Sequence, residues 1–167
     1  MATKPIVKNY MTSRRITLSK DMDVYFAIGL LLKNSISGAP VTDNNNHLVG
    51  ILSEKDCLRI FANGSFYDMP GGPVSKFMTD VVSTVIPNSD LFSVADVFLK
   101  HNFRRIPVVE GKKLVGQISR RDVLRAIQDS TNYDMDTEEF DSANIHVNEQ
   151  TSTKIVRIST VSYTHLT

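Results

Sequence analysis

The chain repeats itself. Met11-Thr12 recurs 67 residues later as Met78-Thr79, and the same offset carries Thr17 to Thr84, Asp23 to Asp90, Leu32-Lys33 to Leu99-Lys100 and Pro40-Val41 to Pro107-Val108. Beyond the Pro-Val pair the offset drops to 66. Leu48-Val49-Gly50 matches Leu114-Val115-Gly116, and Ser53, Asp56, Leu58 and Arg59 match Ser119, Asp122, Leu124 and Arg125. The lost residue falls where Asp43-Asn44-Asn45-Asn46 faces Glu110-Gly111-Lys112-Lys113, a polar turn in which a deletion disturbs no buried backbone. A gap confined to a turn marks a true duplication, and duplication limits the fold to two like halves.

Each half reads β-α-β-β-α. Short β-rich segments open them, at 15–18 and 83–86. Val24, Ala27, Ile28, Leu31 and Leu32, and in the second copy Leu91, Val94, Ala95, Phe98 and Leu99, then recur at helical spacing. N-caps are expected from Asp21 or Asp23, and from Ser89 or Asp90. Hairpins follow at 39–42 with 48–52 and at 106–109 with 114–118, and a last helix places Leu58 and Phe61, or Val123, Leu124 and Ile127, on its buried side. The expected class is therefore α/β (α+β). The parts are repeat 1 at 7–62, a Gly/Pro-rich linker at 63–73, repeat 2 at 74–129 and an acidic, polar tail at 130–167. Within the tail, 154–161 reads as an edge strand or as a disordered segment. One such unit of about 50 residues buries too little surface to be stable alone, so two are expected to pack together.

Composition narrows the function. With 167 residues, 41% hydrophobic and a net charge of +1, the chain can bury a core but has no overall field to draw nucleic acid. Cys57 is the single cysteine, so no internal disulfide, zinc ribbon or CxxC pair can form. No apolar run approaches the length of a membrane span and no secretory signal is visible at the start, so a cytoplasmic protein is expected.

Residues able to do bond-making chemistry are missing as a set. His47, His101, His146 and His165 have no ligand spacing. Ser53 and Ser119 have no nearby histidine to act as base, and neither a P-loop nor a Gly-x-Gly-x-x-Gly occurs. The distinctive element is Gly50-Ile51-Leu52-Ser53-Glu54-Lys55-Asp56 with its copy Gly116-Gln117-Ile118-Ser119-Arg120-Arg121-Asp122. Ser-x-x-acid at a helix start is a capping box. It is equally a place where a helix N-terminus meets phosphate and an outward carboxylate meets ribose hydroxyls, with small Gly50 and Gly116 letting a ligand approach the backbone. Arg104-Arg105 before Ile106-Pro107-Val108 can supply bidentate bonds to phosphate, whereas repeat 1 has uncharged Ser37-Gly38 at that corner.

Two copies opening in Met-Thr, carrying a Pro-Val strand and closing in Gly-x-h-Ser-x-x-Asp resemble a pair of CBS domains, the Bateman module, over residues 7–129. The resemblance implies two repeats packed through their sheets with pseudo-two-fold symmetry. It implies a regulatory, non-catalytic role without a required cofactor. The ligand would be AMP, ADP, ATP, S-adenosylmethionine or NAD between the repeats, the assembly a homodimer, and the output control of a partner protein. The near-zero net charge and the short apolar runs lead to the expectation of no nucleic-acid partner and no membrane insertion. The resemblance places Ser53 and Asp56 opposite Met78, Ser83, Thr84 and the Arg104-Arg105-Ile106-Pro107 corner. Ser119, Arg121 and Asp122 face Met11, Ile16, Thr17 and the Ser37-Gly38-Ala39 corner. The first cleft, with arginines and aspartate together, is expected to hold a phosphorylated ligand more tightly than the second, whose donors would be Arg120 or Arg121 alone. The competing expectation is a ligand-free dimerisation or docking module whose Ser-x-x-Asp motifs only cap helices.

Overall fold

A computed structural model describes residues 4–13, 16–64, 70–80 and 82–131. The part of the tail beyond 131, including the segment at 154–161, lies outside the described residues, as do Arg15 and the middle of the linker.

Repeat 1 contributes α1 (Val7–Tyr10), β1 (Leu18–Ser19), α2 (Val24–Lys33), β2 (Gly38–Thr42), β3 (Leu48–Ser53) and α3 (Glu54–Asn63). Repeat 2 contributes a 3-10 turn (Val74–Lys76), α4 (Leu91–Lys100), β4 (Arg105–Glu110), β5 (Lys113–Ser119) and α5 (Arg120–Thr131). Asp23 caps α2 by accepting from the amides of Tyr25 and Phe26, and Asp90 caps α4 by accepting from the amide of Ser93. β1 runs parallel to β2, which pairs antiparallel with β3; β4 and β5 form the matching hairpin. The opening β segment of repeat 2 is reduced to one parallel bridge, Val85 to Val108.

The first residues of each copy complete the other copy. The Thr12 amide donates to the Gln117 carbonyl at 2.9 Å and the Gln117 amide returns the bond at 3.0 Å; Thr79 and Ile51 exchange both bonds at 2.9 Å. Met11-Thr12 thus extends the sheet of repeat 2, and Met78-Thr79 that of repeat 1. The exchange reaches the cores. Val7 packs with Leu91, Val94, Phe98, Ile106, Val108 and Ile118, while Val74 packs with Leu18, Val24, Ala27, Leu31, Val41 and Leu52. The hairpin tips also meet, the Leu48 amide donating to the Lys112 carbonyl and the Leu114 amide to the Asn46 carbonyl. At the tips Asn46 and Gly111 take the left-handed conformation, φ 61° and 59°, which asparagine and glycine adopt most readily.

Several apolar positions expected in the core face outward. Leu32 and Leu99 are 74% and 86% exposed, because the turn of α2 and α4 that meets the sheet is covered by Val24, Ala27 and Leu31 and by Leu91, Val94 and Phe98. Leu58, Phe61, Leu124 and Ile127 are exposed too, and the buried side of those helices is Asp56 and Ile60 in α3, and Asp122, Val123 and Ala126 in α5. Phe26 and Phe92 add to this outward apolar surface.

Candidate functional site

Both Ser-x-x-Asp motifs form complete boxes at the junction of a strand and a helix. The Ser53 amide and hydroxyl donate to Oδ2 of Asp56 at 2.9 and 2.6 Å, and the Asp56 amide donates to Ser53 Oγ at 3.3 Å. Ser119 and Asp122 repeat this arrangement at 2.7, 2.6 and 3.3 Å. Each aspartate is nearly closed to solvent, 5% exposed for Asp56 and 4% for Asp122. The carboxylates therefore turn back onto their own strand ends instead of pointing outward, which satisfies N–H groups that would be left unpaired by burial.

Their other oxygen is also engaged. Oδ1 of Asp56 accepts from Arg59 Nη1 at 2.8 Å and from Thr79 Oγ1 at 3.3 Å. Oδ1 of Asp122 accepts from Arg125 Nη2. These arginines lie three residues beyond the aspartate, on the same side of the helix.

Gly50 and Gly116 leave room for the exchanged segments. A Cβ on Gly50 would stand 2.6 Å from Met78 Sδ and 2.8 Å from the Thr79 carbonyl, and one on Gly116 2.9 Å from Met11 Sδ and 3.1 Å from the Thr12 carbonyl. Met11 and Met78 thus cover those glycines.

Two hollows lie between the repeats. One, of about 550 Å³, is lined by Thr12, Ile16, Gly38, Arg105, Ser119 and Asp122, with Arg121 and Arg125 at its wall. The other, of about 520 Å³, is lined by Ser37, Gly38, Ala39, Ser53, Arg104, Arg105 and Pro107. Gly38, Arg105 and Gln117 belong to both. Ser53 does face Arg104, Arg105 and Pro107, and Ser119 and Asp122 do share a wall with Ile16 and Gly38. Met78, Ser83 and Thr84, and likewise Met11 and Thr17, line neither hollow. Ser37 and Ala39 line the Ser53 hollow instead of the Ser119 hollow, and Ile106 is a core residue.

The two hollows differ in the charged residues that line them. Asp56 is not in the lining of the Ser53 hollow, whose charged residues are Glu54, Lys55, Arg104 and Arg105. The Asp122 hollow holds the aspartate with Arg105, Arg121 and Arg125. The reason is strand register: Arg105 is the direct partner of Ser119 across β4 and β5, so the charged corner meets the cap of its own repeat as well as that of the other. Arg125, which the sequence reading passed over, was marked by its spacing from Asp122.

The CBS-domain model matches residues 7–63 and 74–129. The chain belongs to the CBS-domain family. Its structure is similar to that of CBSX2 in complex with AMP, a CBS-pair protein from Arabidopsis thaliana, with 29% identity, a TM-score of 0.66 and coverage of 75% of this chain and 98% of that one. It is also similar to the CBS-domain pair of MJ0100 in complex with 5-methylthioadenosine and S-adenosyl-L-methionine, at 25% identity, a TM-score of 0.62 and coverage of 74% and 99%. Among curated proteins it resembles an uncharacterized 17.7 kDa protein of Acidianus ambivalens, 28% identical over 130 residues and covering 77% of this chain and 76% of that one. It spans smaller shares of longer relatives: 42% of the uncharacterized MJ1225 of Methanocaldococcus jannaschii and 22% of an inosine-5'-monophosphate dehydrogenase of Nitrosopumilus maritimus. CBSX2 and the MJ0100 pair are thus each solved with adenosyl compounds. Among the described residues no cluster of His, Cys, Asp and Glu could hold a metal ion, and no helix is long and apolar enough to cross a membrane.

Proposed function

We propose that this CBS pair is a regulatory ligand sensor that binds an adenosyl compound between its repeats and passes the change to a partner protein. The observation that carries the reading is the hollow of about 550 Å³ in which a buried aspartate, its serine and three arginines converge. Ile16 and Gly38 offer an apolar, open wall for a purine, Asp122 an acceptor for ribose, and the arginines donors for a phosphate tail. AMP, methylthioadenosine and S-adenosylmethionine in the neighbouring structures support the same class of ligand. The module does no chemistry of its own, and the ligand is a signal and not a cofactor.

The outward leucines and phenylalanines of the four long helices support a homodimer. They recur at equivalent positions, Leu58 with Leu124, Phe61 with Ile127 and Leu32 with Leu99, so one copy offers a pseudo-symmetric apolar face to another. The test is a melt of ligand-stripped protein with AMP, ADP, ATP, S-adenosylmethionine and NAD. A ligand at 100 times its dissociation constant adds about 2.7 kcal/mol of stability and raises the melting temperature by several degrees. No shift with any of the five rejects the reading.

A second reading has its own support: both boxes are internally satisfied and both aspartates already paired, as in a docking module whose motifs cap helices and bind nothing.

A further inference from the structure

We infer that two copies of this chain meet head to head, repeat 1 against repeat 1, along α2, with Phe26 of each copy seated over Gly29 of the other. The inference rests on the reading of the apolar helix faces as a homodimer surface and adds its orientation. Glycine suits the middle of a helix less than any residue except proline. Gly29 stands midway along α2 and is exposed, and among the described residues no atom comes within 4 Å of a Cβ built on it. Packing within the chain gives no reason for its small size. The neighbours on its own face supply one. Tyr25 and Phe26 lie one turn before it and Leu32 and Lys33 one turn after, and Phe26 and Leu32 are 63% and 74% exposed. The face is a projecting ring beside a notch.

A two-fold axis fits such a surface onto itself. When two α2 helices cross on an axis between Phe26 and Gly29, each ring covers the other copy's notch, and the missing Cβ lets the helices approach closely. The same axis carries the end of one helix to the start of the other, so Lys33 of one copy approaches Asp21 of the other. Both are exposed, and among the described residues neither side chain has a partner. Shape and charge select the same pairing.

Repeat 2 has none of these features. Ser93 stands where repeat 1 has the ring, Asp96 where it has the notch and Asn88 where it has Asp21. Lys100, the counterpart of Lys33, is already bound to Asp96 at 2.6 Å. A head-to-tail pairing would lay that ion pair against Phe26 and take charge out of water in an apolar contact.

The test is crosslinking by a short bis-maleimide in a Cys57→Ser background, with variants mixed in pairs. Asp21→Cys mixed with Lys33→Cys should give a covalent dimer. Asn88→Cys mixed with Lys33→Cys, the matching pair of a head-to-tail arrangement, should not. Gly29→Leu, made in the chain with its native cysteine, is followed by sedimentation equilibrium. Within one chain the leucine meets nothing and suits the helix better, so the melting temperature at high dilution does not fall. The dimer dissociation constant rises about tenfold or more, as overpacking of a filled notch requires. Crosslinking of Lys33→Cys to Asn88→Cys instead of Asp21→Cys, or a Gly29→Leu chain that dimerises like the wild type, overturns the head-to-head contact and leaves the homodimer standing. A wild type that sediments as a monomer overturns both.

Discussion

Met78 lies with its sulfur 2.6 Å from the point where a Cβ on Gly50 would stand, the two residues coming from different repeats. The Thr79 carbonyl beside it is fixed by the Ile51 amide at 2.9 Å, so the neighbour that must yield is partly backbone. Gly50→Ala is expected to destabilise the protein by about 1–3 kcal/mol, the usual range for overpacking. Gly116→Ala meets Met11 at 2.9 Å and the Thr12 carbonyl at 3.1 Å and should cost less. Urea denaturation of the two variants ranks them; a larger loss for Gly116→Ala would contradict the packing described.

Asp56 and Asp122 close equivalent boxes, but of the two only Asp122 lines either of the two inter-repeat hollows described. Without ligand, Asp56→Ala and Asp122→Ala should each lose more than the about 1 kcal/mol of a simple helix cap, because the buried serine amide loses its charged acceptor. With AMP, the ligand-induced rise in melting temperature should survive in Asp56→Ala and be lost in Asp122→Ala. Equal loss in both would place the ligand differently.

The outward faces of α3 and α5 can be tested by charge. Leu58→Asp combined with Leu124→Asp should turn a homodimer into a monomer in light scattering. Exposed positions of this kind change the stability of the single chain by about 0.5 kcal/mol or less, so far-ultraviolet circular dichroism should be unaltered. A wild type that is already monomeric removes the homodimer from the proposal.

Asp90 gives the fold an acid-sensitive cap. The Ser93 amide, and then its hydroxyl, hold the carboxyl below its ordinary value of 3.8, against a smaller opposing effect of desolvation. A carboxyl lowered by folding stabilises the native state above its unfolded pKa and ceases to do so as pH falls through the lowered one. The wild type should therefore lose stability below about pH 4 more steeply than Asp90→Asn. Parallel acid limbs in urea midpoints taken between about pH 5 and 2.5 would mean the cap does not act through its charge.

The duplication made most of the fold legible, since alternation around Pro40-Val41 and Pro107-Val108 and the capping aspartates Asp23 and Asp90 are local signals. Burial of the last helices was not. Leu58 with Phe61, or Leu124 with Ile127, shows helical spacing whether its face meets its own sheet or another molecule, and the positions turned inward include the aspartates of the boxes. The exchange of Met11-Thr12 and Met78-Thr79 left no local trace either, because what it satisfies is the edge of a strand far away in sequence. In the site, the motif residues were legible as a motif, but the sharing of Arg105 between two hollows depends on its register opposite Ser119, which only the folded hairpin supplies.

The trading of opening segments also sets an order of assembly on the ribosome. Repeat 1 emerges first, yet its outermost sheet position stays vacant until Met78-Thr79 is synthesised, and Val74 must arrive to plug its core. Repeat 2 meets the opposite situation: the piece it borrows, Val7 through Thr12, is already waiting outside the exit tunnel. A nascent chain halted within the linker would hold an unsealed half, and a gene cut there would yield two products that each lack a part carried by the other.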